Sequence, residues 1–211
     1  MKNIELAASQ VEKIIEDEFN NLTKQDFETF FDKFQSDSRT LSFIKYYNET
    51  VLDKTKISFK EFRHQWALHF TTPFYVYFDA NYNTIINEIR KKKNIRDFHD
   101  KFCTDRSGKI ERKQGSFCSK LFHTVLPLEF PPIDNPIRKK FNLQKEDFIM
   151  SVLIIKRGYE LYIKDNSKII NLIRTILLKN KFSYLRINEL SNIRILDMYY
   201  WFKENRELKL S

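Results

Sequence analysis

Glycine is so scarce in this chain that it limits the fold more than any other feature: three glycines stand among 211 residues. Tight two-residue hairpins need glycine where φ is positive, so antiparallel sheet has little to turn on. Lys, Glu, Leu, Ile, Phe and Asn dominate instead. The expected fold class is therefore all-α, about nine helices in a single helical domain over residues 1–211, with two lobes as a variant. A chain of this length can bury one sizeable core, and 42% apolar residues, including 20 Phe and 10 Tyr, are enough to fill it.

Apolar spacing places the helices. Residues 3–22 carry Ile4, Ala7, Ala8, Val11, Ile14, Ile15 and Phe19 on one helical face. Thr23 with Asp26 reads as a capping box for a second helix, whose Phe27, Phe30, Phe31 and Phe34 form a core stripe. Ser38 or Thr40 starts a third helix to about Leu52, and Ser58 with Glu61 a fourth through His69, with Trp66 inward. Residues 72–93 read as helix, although the aromatic and β-branched run at 74–78 also suits a strand. Residues 104–114, rich in bases, read as an exposed loop. Residues 147–162 should form a central helix in which Gly158 permits a close helix approach. Ser167 caps an amphipathic helix, and Ser191 caps a last one whose Ile193, Leu196, Tyr200 and Trp201 face the core, with Asp197 structural.

Composition restricts partners. Thirty-seven Lys and Arg against 28 Asp and Glu give a formal charge of +9, which favours a polyanion. Cys103 and Cys118 form neither a disulfide framework nor a CxxC pair, so no metal centre or cofactor motif is expected. With no signal-peptide pattern and no apolar run of spanning length, the expected location is the cytoplasm, without a membrane partner.

One stretch, residues 115–140, is specified more tightly than the rest. It holds one glycine and four of the five prolines. Ser116 is the expected cap of a short helix with an apolar face of Phe117, Leu121, Phe122 and Val125, and with Lys120 and His123 beside it. Pro127 ends that helix. The residues before Pro131 and Pro132 are extended, and Asp134 is a candidate cap where a new turn begins. Its competing plain reading is a surface lysine and a capping aspartate.

A glycine-started helix carrying a lysine, then a turn delivering an aspartate before Ile137-Arg138-Lys139, resembles the helix-hairpin-helix DNA glycosylases of the 8-oxoguanine glycosylase type. The family's glycine-rich hairpin is represented by Gly115 alone, and fourteen residues separate Lys120 from Asp134, a shorter step than the family's. The resemblance implies duplex DNA as partner and Lys120 and Asp134 as the catalytic pair. A lysine in a dry pocket is a free amine able to attack the C1′ of a flipped nucleotide, and the aspartate steadies the cationic sugar. Gly115, Ser116, Ser119, His123, Arg112, Lys113, Arg138 and Lys139 are the implied substrate-binding set. The alternative is a non-enzymatic helical binding module, such as a component of a bacterial defence or toxin system.

Overall fold

The computed structural model describes residues 2–34, 37, 38, 41, 42, 44, 45, 48, 49, 59–65, 72–105, 112–179 and 185–204. Ten α-helices lie among them: α1 (Lys2–Phe19), α2 (Lys24–Asp32), α3 (Phe59–Gln65), α4 (Thr72–Lys92), α5 (Ile95–Phe102), α6 (Gly115–Val125), α7 (Asn135–Lys140), α8 (Phe148–Asp165), α9 (Ser167–Lys179) and α10 (Asn192–Phe202). The fold is all-α, as glycine scarcity implied. The expected third helix falls largely, and Trp66 entirely, outside the described residues.

Local signals account for most helix ends. Thr23 and Asp26 form the capping box of α2, and the Ser191 hydroxyl accepts the Arg194 amide at 3.1 Å to open α10. Asp147 accepts the Ile149 and Met150 amides at the start of α8. The run at 74–78 is helical, because its Phe74 and Phe78 lie one turn apart on the buried face of α4.

Two expectations are corrected. Residues 104–114 are not wholly loop: β1 (Thr104–Asp105) and β2 (Arg112–Lys113) pair antiparallel, Thr104 opposite Lys113 and Asp105 opposite Arg112. The Gln114 amide continues the ladder to the Cys103 carbonyl at 2.8 Å. Trp201 is only partly buried, whereas its neighbours Tyr200 and Phe202 are fully enclosed and Leu196 is as expected. Ile193 to Tyr200 are buried without a break, so α10 has neighbours on all sides rather than one apolar stripe.

Helix α8 runs through one continuous core and packs along α1, with α6 and α10 also against it. Gly158 makes the first of these contacts possible. A Cβ there would stand 2.5 Å from Val11 Cγ1 and 3.0 Å from the Ala8 carbonyl oxygen. Gly158→Ala is therefore expected to lower stability by about 1–3 kcal/mol through overpacking, against the gain of up to about 1 kcal/mol that alanine brings to an unhindered helix. A raised urea midpoint would contradict this close approach.

Candidate functional site

Helix α6 is nearly all interior. Nine of its eleven residues are buried, leaving Ser116 and Lys120, one turn apart, as the two that reach the surface. Phe117 anchors it: its ring meets Phe78 edge-on at 4.9 Å and also contacts Phe59, Phe62 and Phe74. The start of α6 is fixed by tertiary contacts rather than by the expected serine cap. Gln114 occupies the cap position without a capping side-chain bond, and Ser116 lies inside the first turn. Gly115 is a packing residue, since a Cβ would fall 2.5 Å from Phe148 Cγ. Its buried backbone is pressed against α8, not offered to a ligand.

The extended segment after α6 is pinned to it by two buried side chains. Ser119 Oγ donates to the Pro131 carbonyl at 3.2 Å and accepts the Ile133 amide at 2.8 Å. His123 Nδ1 is bonded to the Phe130 carbonyl. Both residues are fully buried, so each serves the turn and neither is placed to touch a substrate. Burial and the neighbouring Arg194 charge push the His123 ring down to about 3, outweighing the Phe130 bond, and the imidazole is neutral.

These bonds deliver Asp134 to the start of α7, where its Oδ1 accepts the Ile137 amide at 3.2 Å. The expected cap is thus in place. The same carboxylate acts on Lys120. Burial pushes the Lys120 amine below its ordinary value, and the Asp134 charge opposes that shift. Lys120 is half-buried, its stem running past the apolar side chains of an otherwise enclosed helix.

The basic residues of the predicted set fare differently. Arg138 is committed to the fold: its guanidinium donates to Ser151 Oγ at 3.1 Å, to Asn135 Oδ1 at 3.1 Å and to the Leu143 and Glu146 carbonyls at 3.2 and 2.6 Å. It also lies 4.6 Å over the Phe148 ring. These bonds close α7 onto α8 and leave the guanidinium little to give a phosphate. Lys139 is exposed, beside an open concavity of about 740 Å³ whose lining includes Asn135, Gln144 and Glu204. Arg112 and Lys113 form β2, on the approach to α6. Within the 90–93 run, Lys92 pairs with Glu88 at 2.6 Å and Lys93 with Glu129 at 2.5 Å.

Sequence reasoning read Asp197 as structural and missed its partner. Arg194 and Asp197 on α10 form a buried ion pair, Nη1 to Oδ2 at 2.5 Å, with 5% and 0% of each residue exposed. An Arg and an Asp three apart in an otherwise apolar helix were the available signal. Burial pushes the Asp197 carboxyl up to about 7, the Arg194 charge and hydrogen bond pull it down, and Asp134 adds to the rise. The Asp134 charge therefore bears on both Lys120 and Asp197.

The chain matches no protein-family model, and neither the curated proteins nor the solved structures contain a significant match to it. Its chemistry is read from its own residues. Among the described residues no helix is long and apolar enough to cross a membrane.

Proposed function

We propose that the chain is a nucleic-acid-binding helical protein of base-excision glycosylase type, acting on a modified or damaged base in duplex DNA. The observation that carries this reading is Lys120 itself: a half-buried amine on an otherwise enclosed helix, lowered by burial and acted on by the Asp134 carboxylate. Such a shift gives the amine a larger free, nucleophilic share than an exposed lysine has. In the reaction Lys120 Nζ forms a bond to C1′ of the extruded nucleotide as the N-glycosidic bond breaks, and that bond's electron pair leaves with the base, which takes up a proton. Asp134 steadies the positive charge growing on the sugar. Ser116, one turn from Lys120, and the exposed Lys139 are the residues of the original set best placed for the strand, with Arg112 and Lys113 on the preceding ladder.

Borohydride is expected to trap a covalent protein–DNA adduct on abasic or lesion-bearing duplex, and Lys120→Ala to abolish trapping at that residue while retaining most of the binding. Affinity should fall steeply with salt, because lysines and arginines displace counterions from phosphates. Salt-dependent binding with no adduct at Lys120 and no base release on any modified duplex would leave the helical binding module, of the defence or toxin-system kind, as the function.

A further inference from the structure

The concavity of about 740 Å³ along α7 is lined by neither Lys120 nor Asp134. Its volume is that of a small-molecule site, more than a lone phosphate fills and enough for a whole nucleotide. Its walls are fixed by bonds within the fold. Helix α7 ends in a left-handed turn at Asn142, φ 57°, where the Leu143 amide reaches the Arg138 carbonyl at 2.9 Å and the Asn142 amide the Lys139 carbonyl at 3.1 Å. The Arg138 guanidinium then ties the chain that follows, donating to the Leu143, Gln144 and Glu146 carbonyls at 3.2, 3.4 and 2.6 Å. Gln144 is thereby held beside α7 rather than on a free loop. Lys140 is held in turn by Glu18 at 2.5 Å.

These bonds leave particular groups over. Among the described residues, neither the exposed Lys139 ammonium nor the exposed Gln144 carboxamide has a hydrogen bond or an ion pair. Asn135 accepts Arg138 with its Oδ1 at 3.1 Å, and its amino group remains a donor. Pro136 and the lysine stems supply apolar surface between these polar tips. The balance of charge is positive, because Glu18 is one carboxylate between two ammoniums, Lys140 at 2.5 Å and Lys203 at 2.7 Å, and Arg138 and Lys139 face only Glu204 in the lining. A free ammonium suits a phosphate, a carboxamide with both donor and acceptor suits the edge of a base, and apolar surface between them suits its face.

We propose that the α7 concavity is a second binding site, which takes a nucleotide unit with its phosphate on Lys139 and the edge of its base on Gln144. The unit is a free 5′-nucleotide or one residue of an unpaired strand, the recognised chemistry being the same. Lys120 takes no part in this site, so the proposal goes beyond base excision and stands without it.

Calorimetric titration of the full chain at low salt, with deoxyadenosine 5′-monophosphate and with a short single-stranded oligodeoxyadenylate, tests it. Saturable binding of at least one probe is expected. Lys139→Gln should weaken it about threefold to tenfold, the loss of one charge-assisted hydrogen bond, and should lower the salt dependence of oligonucleotide binding by about 0.7 in the logarithmic slope. Gln144→Ala should weaken binding while leaving that slope unchanged, and should reduce the difference between adenylate and thymidylate probes. Lys168→Gln, an exposed lysine of α9, is the control and should change neither. All three replaced side chains are exposed, and circular dichroism checks that the fold is kept. Tight binding of the monophosphate identifies a free nucleotide as the ligand, and binding of the oligonucleotide alone identifies a strand. No binding of either probe, or binding that Lys139→Gln and Gln144→Ala weaken no more than Lys168→Gln does, overturns the proposal. Failure of adduct trapping with this binding intact counts against the excision reading alone.

Discussion

Phe19→Ala is expected to cost about 3–5 kcal/mol, the range for removing a large, fully enclosed aromatic ring. Phe19 closes α1 and is 1% exposed. Its ring meets Phe27 at 5.4 Å, Tyr162 at 5.6 Å and Tyr199 at 4.8 Å, each edge-on, and stacks on Tyr200 at 6.1 Å. These partners come from α2, α8 and α10, so the cavity would open where four helices meet and no single side chain can fill it. Chemical denaturation should show the loss as a lower midpoint with an unchanged slope. A loss below about 1 kcal/mol would mean that the four helices close around the gap.

Breaking the buried pair from its cationic side is expected to be as damaging, and to depend on pH. Arg194→Met leaves Asp197 enclosed without its counterion, a change of about 3–5 kcal/mol when the carboxylate is ionised. The sign follows from proton binding. With its carboxyl raised from 3.8 to about 7, folded Asp197 holds a proton that the unfolded chain releases. Its contribution to stability is full below about pH 4 and is lost as pH rises through about 7. His123 works the other way: its ring, lowered from 6.5 to about 3, favours the fold above pH 6.5 and this support is lost as pH falls toward 3. Between about pH 4 and 6.5 the two slopes oppose each other, and the wild-type protein should be nearly flat there.

Arg194→Met disturbs that balance. Without the cation Asp197 keeps its proton to higher pH and the His123 ring becomes easier to protonate, so the mutant should lose far more stability at pH 8 than at pH 5. Equal losses in urea at the two pH values would refute this account. Arg194→Met with Asp197→Leu, which removes both charges, should recover most of the difference.

Much of the fold was legible because it is written within one or two helical turns. The Phe27 and Phe31 face of α2, the Thr23–Asp26 box, the Ser191 cap and the Asp134 cap each depend on residues three or four apart. Gly158 was legible for a related reason: a glycine in a long apolar helix has few uses other than a close neighbour. The candidate site was legible only as residue types. Lys120 and Asp134 could be named, but whether their charges meet depends on Ser119 and His123 folding the intervening turn back onto α6.

What tertiary structure decided is which polar groups are already spoken for. Arg138 looked like a phosphate ligand in sequence and is instead held by the carbonyls that join α7 to α8. Glu18 has no role that the sequence of α1 signals. It is partly buried and receives Lys140 at 2.5 Å, Lys203 at 2.7 Å and the Tyr199 hydroxyl at 2.8 Å. Burial pushes its carboxyl up, yet those bonds together hold it below the usual range. The sequence alone determined an all-α chain with a basic balance, its helix caps and its buried faces, since periodicity and capping act over a few residues. Only packing determined that Arg194 and Asp197 are enclosed as a pair and that Lys120 reaches the surface from an otherwise enclosed helix. Both depend on segments tens of residues apart, and their energies depend on how much water the assembled core excludes.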